Sequence, residues 1–141
     1  MKRVILRLLV LGSLLWSGIL YANELHWEES LQSAFDKASR TNRPLMVMVE
    51  SKSCRWCKKM KHRTLEDDAV SVRLKNYVLV KIDRDEVSSE FVPYAKYVPT
   101  IYFMTPKQKV LERVTGYFNV SDFKSWIDDA EAKLNQKVKV P

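Results

Sequence analysis

Leu45-Met46-Val47-Met48-Val49-Glu50-Ser51-Lys52-Ser53-Cys54-Arg55-Trp56-Cys57-Lys58, residues 45–58, holds the reading on which the fold turns. Its first five residues are an unbroken apolar run, bounded by Pro44 before it and by the polar Ser51-Lys52-Ser53 after it. A run of this length without alternation predicts a strand buried on both faces. The two cysteines of the chain follow at once, at i and i+3, and a basic stretch of helical character extends from Cys54 through about Arg63. On a first helical turn, side chains three apart face each other, so the two sulfurs are expected to meet.

With Cys54 at a helix start, its sulfur lies near unpaired backbone N–H groups and the positive end of the helix dipole, which favour thiolate over thiol. Lys52, Arg55, Lys58, Lys59, Lys61 and Arg63 add positive charge, with no acid between positions 51 and 65. A Cys54 pKa below the free-thiol value of about 8.5 is therefore predicted. The chemistry that follows is thiol-disulfide exchange, with Cys54 as nucleophile and Cys57 as resolving thiol. Blander readings stand beside it. A structural disulfide over so short a loop restricts the unfolded chain little. A zinc site needs four ligands, and only His26 and His62 are available to complete one. Haem attachment requires His directly after the second cysteine, where Lys58 stands. Two thiolates also suit Cu(I), so a metal carrier or a non-enzymatic thiol chaperone is the rival from another functional class.

Outward from this stretch, strand and helix patterns alternate. Trp27, Leu31, Ala34, Phe35 and Ala38 recur at helical spacing ahead of the first strand, and a helical piece after Arg63 carries Asp67 and Asp68 in its first turn. Tyr77 to Ile82 reads as a second buried strand. Ser88 or Ser89 is expected to cap a short helix holding Phe91, Tyr94 and Ala95. Thr100–Met104 and Val110–Thr115 predict a hairpin turning at Pro106-Lys107-Gln108. Val120, Phe123, Trp126, Ile127, Ala130 and Leu134 predict a last helix, with Ser121 as its cap. The expected architecture is α/β: a central mixed sheet of parallel strands plus a C-terminal antiparallel hairpin, flanked by helices, with an extra helix at the N-terminal end.

The 141 residues suffice for one domain but not for two of ordinary size. Met1-Lys2-Arg3 and the run from Leu8 to Ala22, polar only at Ser13, Ser17 and Tyr21, read as a secretory signal over residues 1–22, with a domain at 23–141. The alternative is an uncleaved anchor, since Val4 to Ala22 approaches the roughly 20 apolar residues that span a bilayer. Without Lys2, Arg3 and Arg7, 21 basic residues face 17 acidic ones, a net charge of +4, which gives little support to nucleic-acid binding. A periplasmic or other exported compartment is oxidising, so the thiols pair unless something keeps them reduced.

Strand Leu45 to Val49 running into Cys54-Arg55-Trp56-Cys57-Lys58, then Tyr97-Val98-Pro99-Thr100 entering a strand, then Gly116 after the hairpin, resembles the thioredoxin-fold superfamily. The match covers residues 24 to 136. It is most similar to secreted bacterial members, including the soluble domain of the membrane-embedded periplasmic thiol reductase. The resemblance implies a thiol-disulfide oxidoreductase that needs no cofactor or metal beyond its own dithiol, with reduction slightly preferred; against it, positive charge around Cys54 stabilises the thiolate and makes the disulfide more oxidising, so both directions stay open. It also implies a cis bond before Pro99, with the Val98 backbone pairing to an extended substrate. Arg55 and Trp56 are further candidates for contact with the partner, Trp56 having local packing as its alternative. Implied partners are cysteine-containing exported proteins and a membrane-bound thiol donor or acceptor of electrons, for a monomeric protein. Thioredoxins proper have Trp before the first cysteine and Gly-Pro within the pair, where this chain has Ser53 and Arg55-Trp56. They also carry a buried acid at the position of Met48; Glu50, on the same strand face, is the candidate substitute for proton handling, against the reading of an exposed, salt-bridging Glu.

Overall fold

The computed structural model describes residues 24–86 and 90–138, so the signal expected at residues 1–22 lies outside the described residues. In chain order the elements are β1 (Trp27–Glu28), α1 (Leu31–Thr41), β2 (Leu45–Glu50), α2 (Arg55–Met60), a π-helical turn (Lys61–Leu65), α3 (Asp68–Leu74), β3 (Val78–Asp83), β4 (Thr100–Met104), β5 (Val110–Thr115) and α4 (Val120–Val138). The five strands form one sheet in the order β1-β3-β2-β4-β5. β3 is parallel to β1 and β2, while β4 is antiparallel to both β2 and β5.

β2 is the central strand, which explains its unbroken apolar run. Leu45, Val47 and Val49 point into the layer under α1 with Phe35, Val80 and Tyr102. Met46 and Met48 point the other way, into the layer that holds Cys57, Met60, Phe103, Phe123 and Ile127. Leu45–Val49 are all 3% exposed or less, and each such burial stabilises the fold by roughly 1.5–3 kcal/mol.

Several local expectations are corrected. Trp27 is not on the first helix; it forms β1 with Glu28, and Ser30 starts the helix by accepting the Ser33 N–H. No helix forms over residues 90–99, and Ser88 and Ser89 lie outside the described residues. The segment is held in an irregular course by side chains of flanking elements: Tyr102 Oη donates to Pro93 O (3.0 Å), Thr100 Oγ1 to Tyr97 O (2.7 Å) and Arg84 Nη1 to Lys96 O (3.3 Å). Asn119, not Ser121, caps α4, accepting the Asp122 N–H at 3.0 Å. The helix after Cys54 widens into the π turn, where Glu66 N donates to Lys61 O (3.0 Å). Its extra residue helps turn Thr64 and Leu65 fully inward.

Candidate active site

The chain leaves β2 at Glu50 and turns so that Cys54 N donates to Ser51 O at 3.2 Å. Cys54 is the N-cap of α2, and its Sγ accepts the Cys57 N–H at 3.0 Å. The two cysteines are joined as a disulfide, with Cα atoms 5.2 Å apart. They are not equivalent: Cys57 is 1% exposed and packs in the core layer, whereas Cys54 is partly open to solvent. A partner sulfur approaching from outside therefore meets Cys54 first.

The pairing of Val49 with Thr100 sets the residues before β4 beside the exit of β2. The Val98–Pro99 peptide is cis. Pro99 is buried, and its carbonyl accepts the Gly116 N–H at 2.8 Å. Gly116 has φ +104°, a conformation that side-chain-bearing residues rarely adopt. Val98 and Cys54 pack against the same core layer, and among the described residues no hydrogen bond engages the Val98 backbone.

Trp56 takes up local packing and also leaves part of its ring open to solvent. It stays 45% exposed, yet its ring packs against Tyr117, centroids 5.7 Å apart. Lys59 Nζ lies 4.9 Å from the Trp56 ring and 4.4 Å from that of Tyr117, and the Arg55 guanidinium lies 5.3 Å from Trp56. Tyr117 escaped the sequence reading, although its place after Gly116 was a usable signal.

Met48 is fully buried beneath the site. Glu50 forms the salt bridge expected of it, but in a half-buried place and not an exposed one. It is about one-quarter exposed and pairs with Lys61 at 2.7 Å. With both cysteines, Lys58, Lys61, Lys81 and Asp83 it lines a recess of about 160 Å³. A larger recess, about 610 Å³, lies on the far side of Lys61 and Lys81, lined by Trp27, His62 and Glu66 among others. His62 is exposed and contacts Glu66 at 3.0 Å. Among the described residues no group of three or more His, Cys, Asp or Glu could hold a metal, and no helix is long and apolar enough to cross a membrane.

Anterior gradient protein 3 of Xenopus tropicalis is 23% identical over 100 residues, 70% of this chain and 61% of that protein. The chain thus spans less than two thirds of that relative. Among solved structures, a thioredoxin from Thermus thermophilus superposes with a TM-score of 0.64 at 24% identity, over 78% of this chain and 89% of that one. A structure described as DsbH Oxidoreductase gives 0.63 at 17% identity, over 86% and 92%. At these identities the likeness is one of fold, and the fold is that of thioredoxin. A family model matches residues 19–128, from before β1 to within α4, and by that match the chain belongs to the Thioredox_DsbH family, described as proteins of unknown function, DUF255.

Proposed function

We propose that the chain is an exported thiol-disulfide oxidoreductase that donates electrons to cysteines of partner proteins, with residues 1–22 as its export signal and 23–141 as its working domain. The observation that carries this reading is the Cys54–Cys57 disulfide at the β2–α2 junction, one sulfur reachable and the other 1% exposed. In the reduced protein, Cys54 thiolate attacks a partner disulfide and forms a mixed disulfide, releasing one partner thiolate. Cys57, once deprotonated, attacks the Cys54 sulfur, closes the Cys54–Cys57 bond and releases the second partner thiol, so two electrons pass to the partner. Glu50, in the recess shared with Cys57, takes up the Cys57 proton directly or through water. The unengaged backbone of Val98 pairs with the extended partner chain, and Pro99 shapes that loop. A membrane-bound thiol donor restores the dithiol.

The test has two parts. Wild type is expected to catalyse dithiothreitol-dependent insulin reduction, and Cys57→Ser to trap mixed disulfides with exported proteins. Absence of both overturns the oxidoreductase reading, and tight stoichiometric Cu(I) binding in its place establishes the carrier. Direction is read from the reduction potential. A value more negative than about −200 mV agrees with a donor, and one near about −120 mV reverses the direction. Export predicts a mature N-terminus after Ala22 in the extracytoplasmic fraction.

A further inference from the structure

We propose that this domain selects partners whose reactive cysteine lies in an acidic, extended segment, docked on Arg55, Lys58, Lys59 and the Trp56–Tyr117 pair; the proposal rests on the oxidoreductase reading above. The tertiary structure divides the six basic residues around the cysteines into two groups. Lys61 is paired with Glu50 at 2.7 Å, and Lys52 more loosely with Glu86 at 3.3 Å. Arg55, Lys58, Lys59 and Arg63 are exposed, and among the described residues none of them has a carboxylate partner. Arg55 and Lys59 instead lie over aromatic faces, which orient a cation without cancelling its charge. Arg55 sits three residues before Lys58 and four before Lys59, the helical spacings at which like charges repel. An arriving carboxylate relieves that repulsion.

The rings add the second half of the surface. Trp56 and Tyr117 present a joint apolar face, Trp56 at 45% exposure, beside the cations. Tyr117 follows Gly116, whose N–H holds the Pro99 carbonyl, so the loop that carries Tyr117 is tied to the Val98-Pro99 loop. A segment with Asp or Glu near its cysteine and an apolar side chain for Trp56 is complementary to this surface, and a lysine-rich segment is repelled.

The test uses short peptides with one internal disulfide, identical except for acidic, neutral or basic residues flanking the cysteines. Their second-order reduction by the dithiol protein is measured, together with binding of their Cys→Ser forms to the disulfide protein, followed at the Trp56 indole by NMR. The acidic peptide is expected to bind and react about tenfold better than the neutral one at about 10 mM salt, the advantage shrinking towards unity near about 0.5 M. Lys58→Glu with Lys59→Glu is expected to reverse the order. Equal behaviour of acidic and neutral peptides in both measurements, or an acidic preference that survives the double reversal, overturns the proposal. Preferential binding of the acidic peptide with no reduction of any peptide upholds the docking surface and overturns the oxidoreductase reading.

Discussion

Replacing Thr64 with Val separates one hydrogen bond from the packing around it. Thr64 is fully buried in the π turn, and its hydroxyl donates to Phe118 O at 2.6 Å. That bond ties the end of the active-site helix to the loop that carries Tyr117. Val has nearly the same shape, so no cavity opens; what is lost is the donor, and the Phe118 carbonyl is left without a partner. Stranding the acceptor of this part-buried bond costs about 1–3 kcal/mol. At the middle of that range, and about 4 °C per kcal/mol for a chain of this length, the melting midpoint falls by about 8 °C. Thr64→Ser keeps the donor and loses one methyl, for about 1 kcal/mol. Urea unfolding of the disulfide form, read by circular dichroism, is expected to rank wild type above Ser above Val with unchanged m. Insulin reduction is expected to slow in the Val variant as the Tyr117 loop loosens. A Val variant within about 0.5 kcal/mol of wild type, or more stable than the Ser variant, refutes the reasoning.

Gly116→Ala tests backbone strain alone, because an added Cβ meets nothing within 4 Å while φ is +104°; a loss of about 1–2 kcal/mol is expected by urea unfolding, and no loss contradicts it. Burial pushes the Tyr77 phenol well above its ordinary value of 10. The folded state therefore holds that proton more tightly than the unfolded one, and the contribution, complete below about pH 10, is lost as pH rises towards the higher folded value. Tyr77→Phe is expected to flatten the fall in unfolding midpoint between about pH 9 and about pH 11; an unchanged slope rules this out. Arg73 joins α3 to α4 through Asp128 (2.6 Å) and Glu131 (2.7 Å). Arg73→Met is expected to cost about 1 kcal/mol in low salt and less in high salt, so a salt-independent loss means that packing, not charge, was removed.

Much of the frame was legible because it is written in short-range periodicity. Leu45–Val49 announced a strand buried on both faces, and Cys54 and Cys57 three apart after it announced a pair at a helix start. The hairpin of Thr100–Met104 and Val110–Thr115 followed from its turn. The misread elements were those that distant partners decide. Phe91, Tyr94 and Ala95 have helical spacing, but Tyr102, Thr100 and Arg84 pin their segment in an irregular course by donating to Pro93, Tyr97 and Lys96 carbonyls. Trp27 continues the spacing of α1, yet it pairs beside Leu79 as a strand.

The sequence by itself determined the buried strand Leu45–Val49, the closing hairpin, the junction that carries the dithiol and the excess of positive charge around it, since each depends on neighbours a few positions apart. Only the tertiary structure decided which sulfur faces solvent, that Glu50 is paired with Lys61, and that Trp56 shares its face with Tyr117. Strand register and the π turn bring those groups together, and the Trp56–Tyr117 contact joins residues far apart in the chain. Local spacing therefore specified which groups are present, and register with packing specified which of them meet.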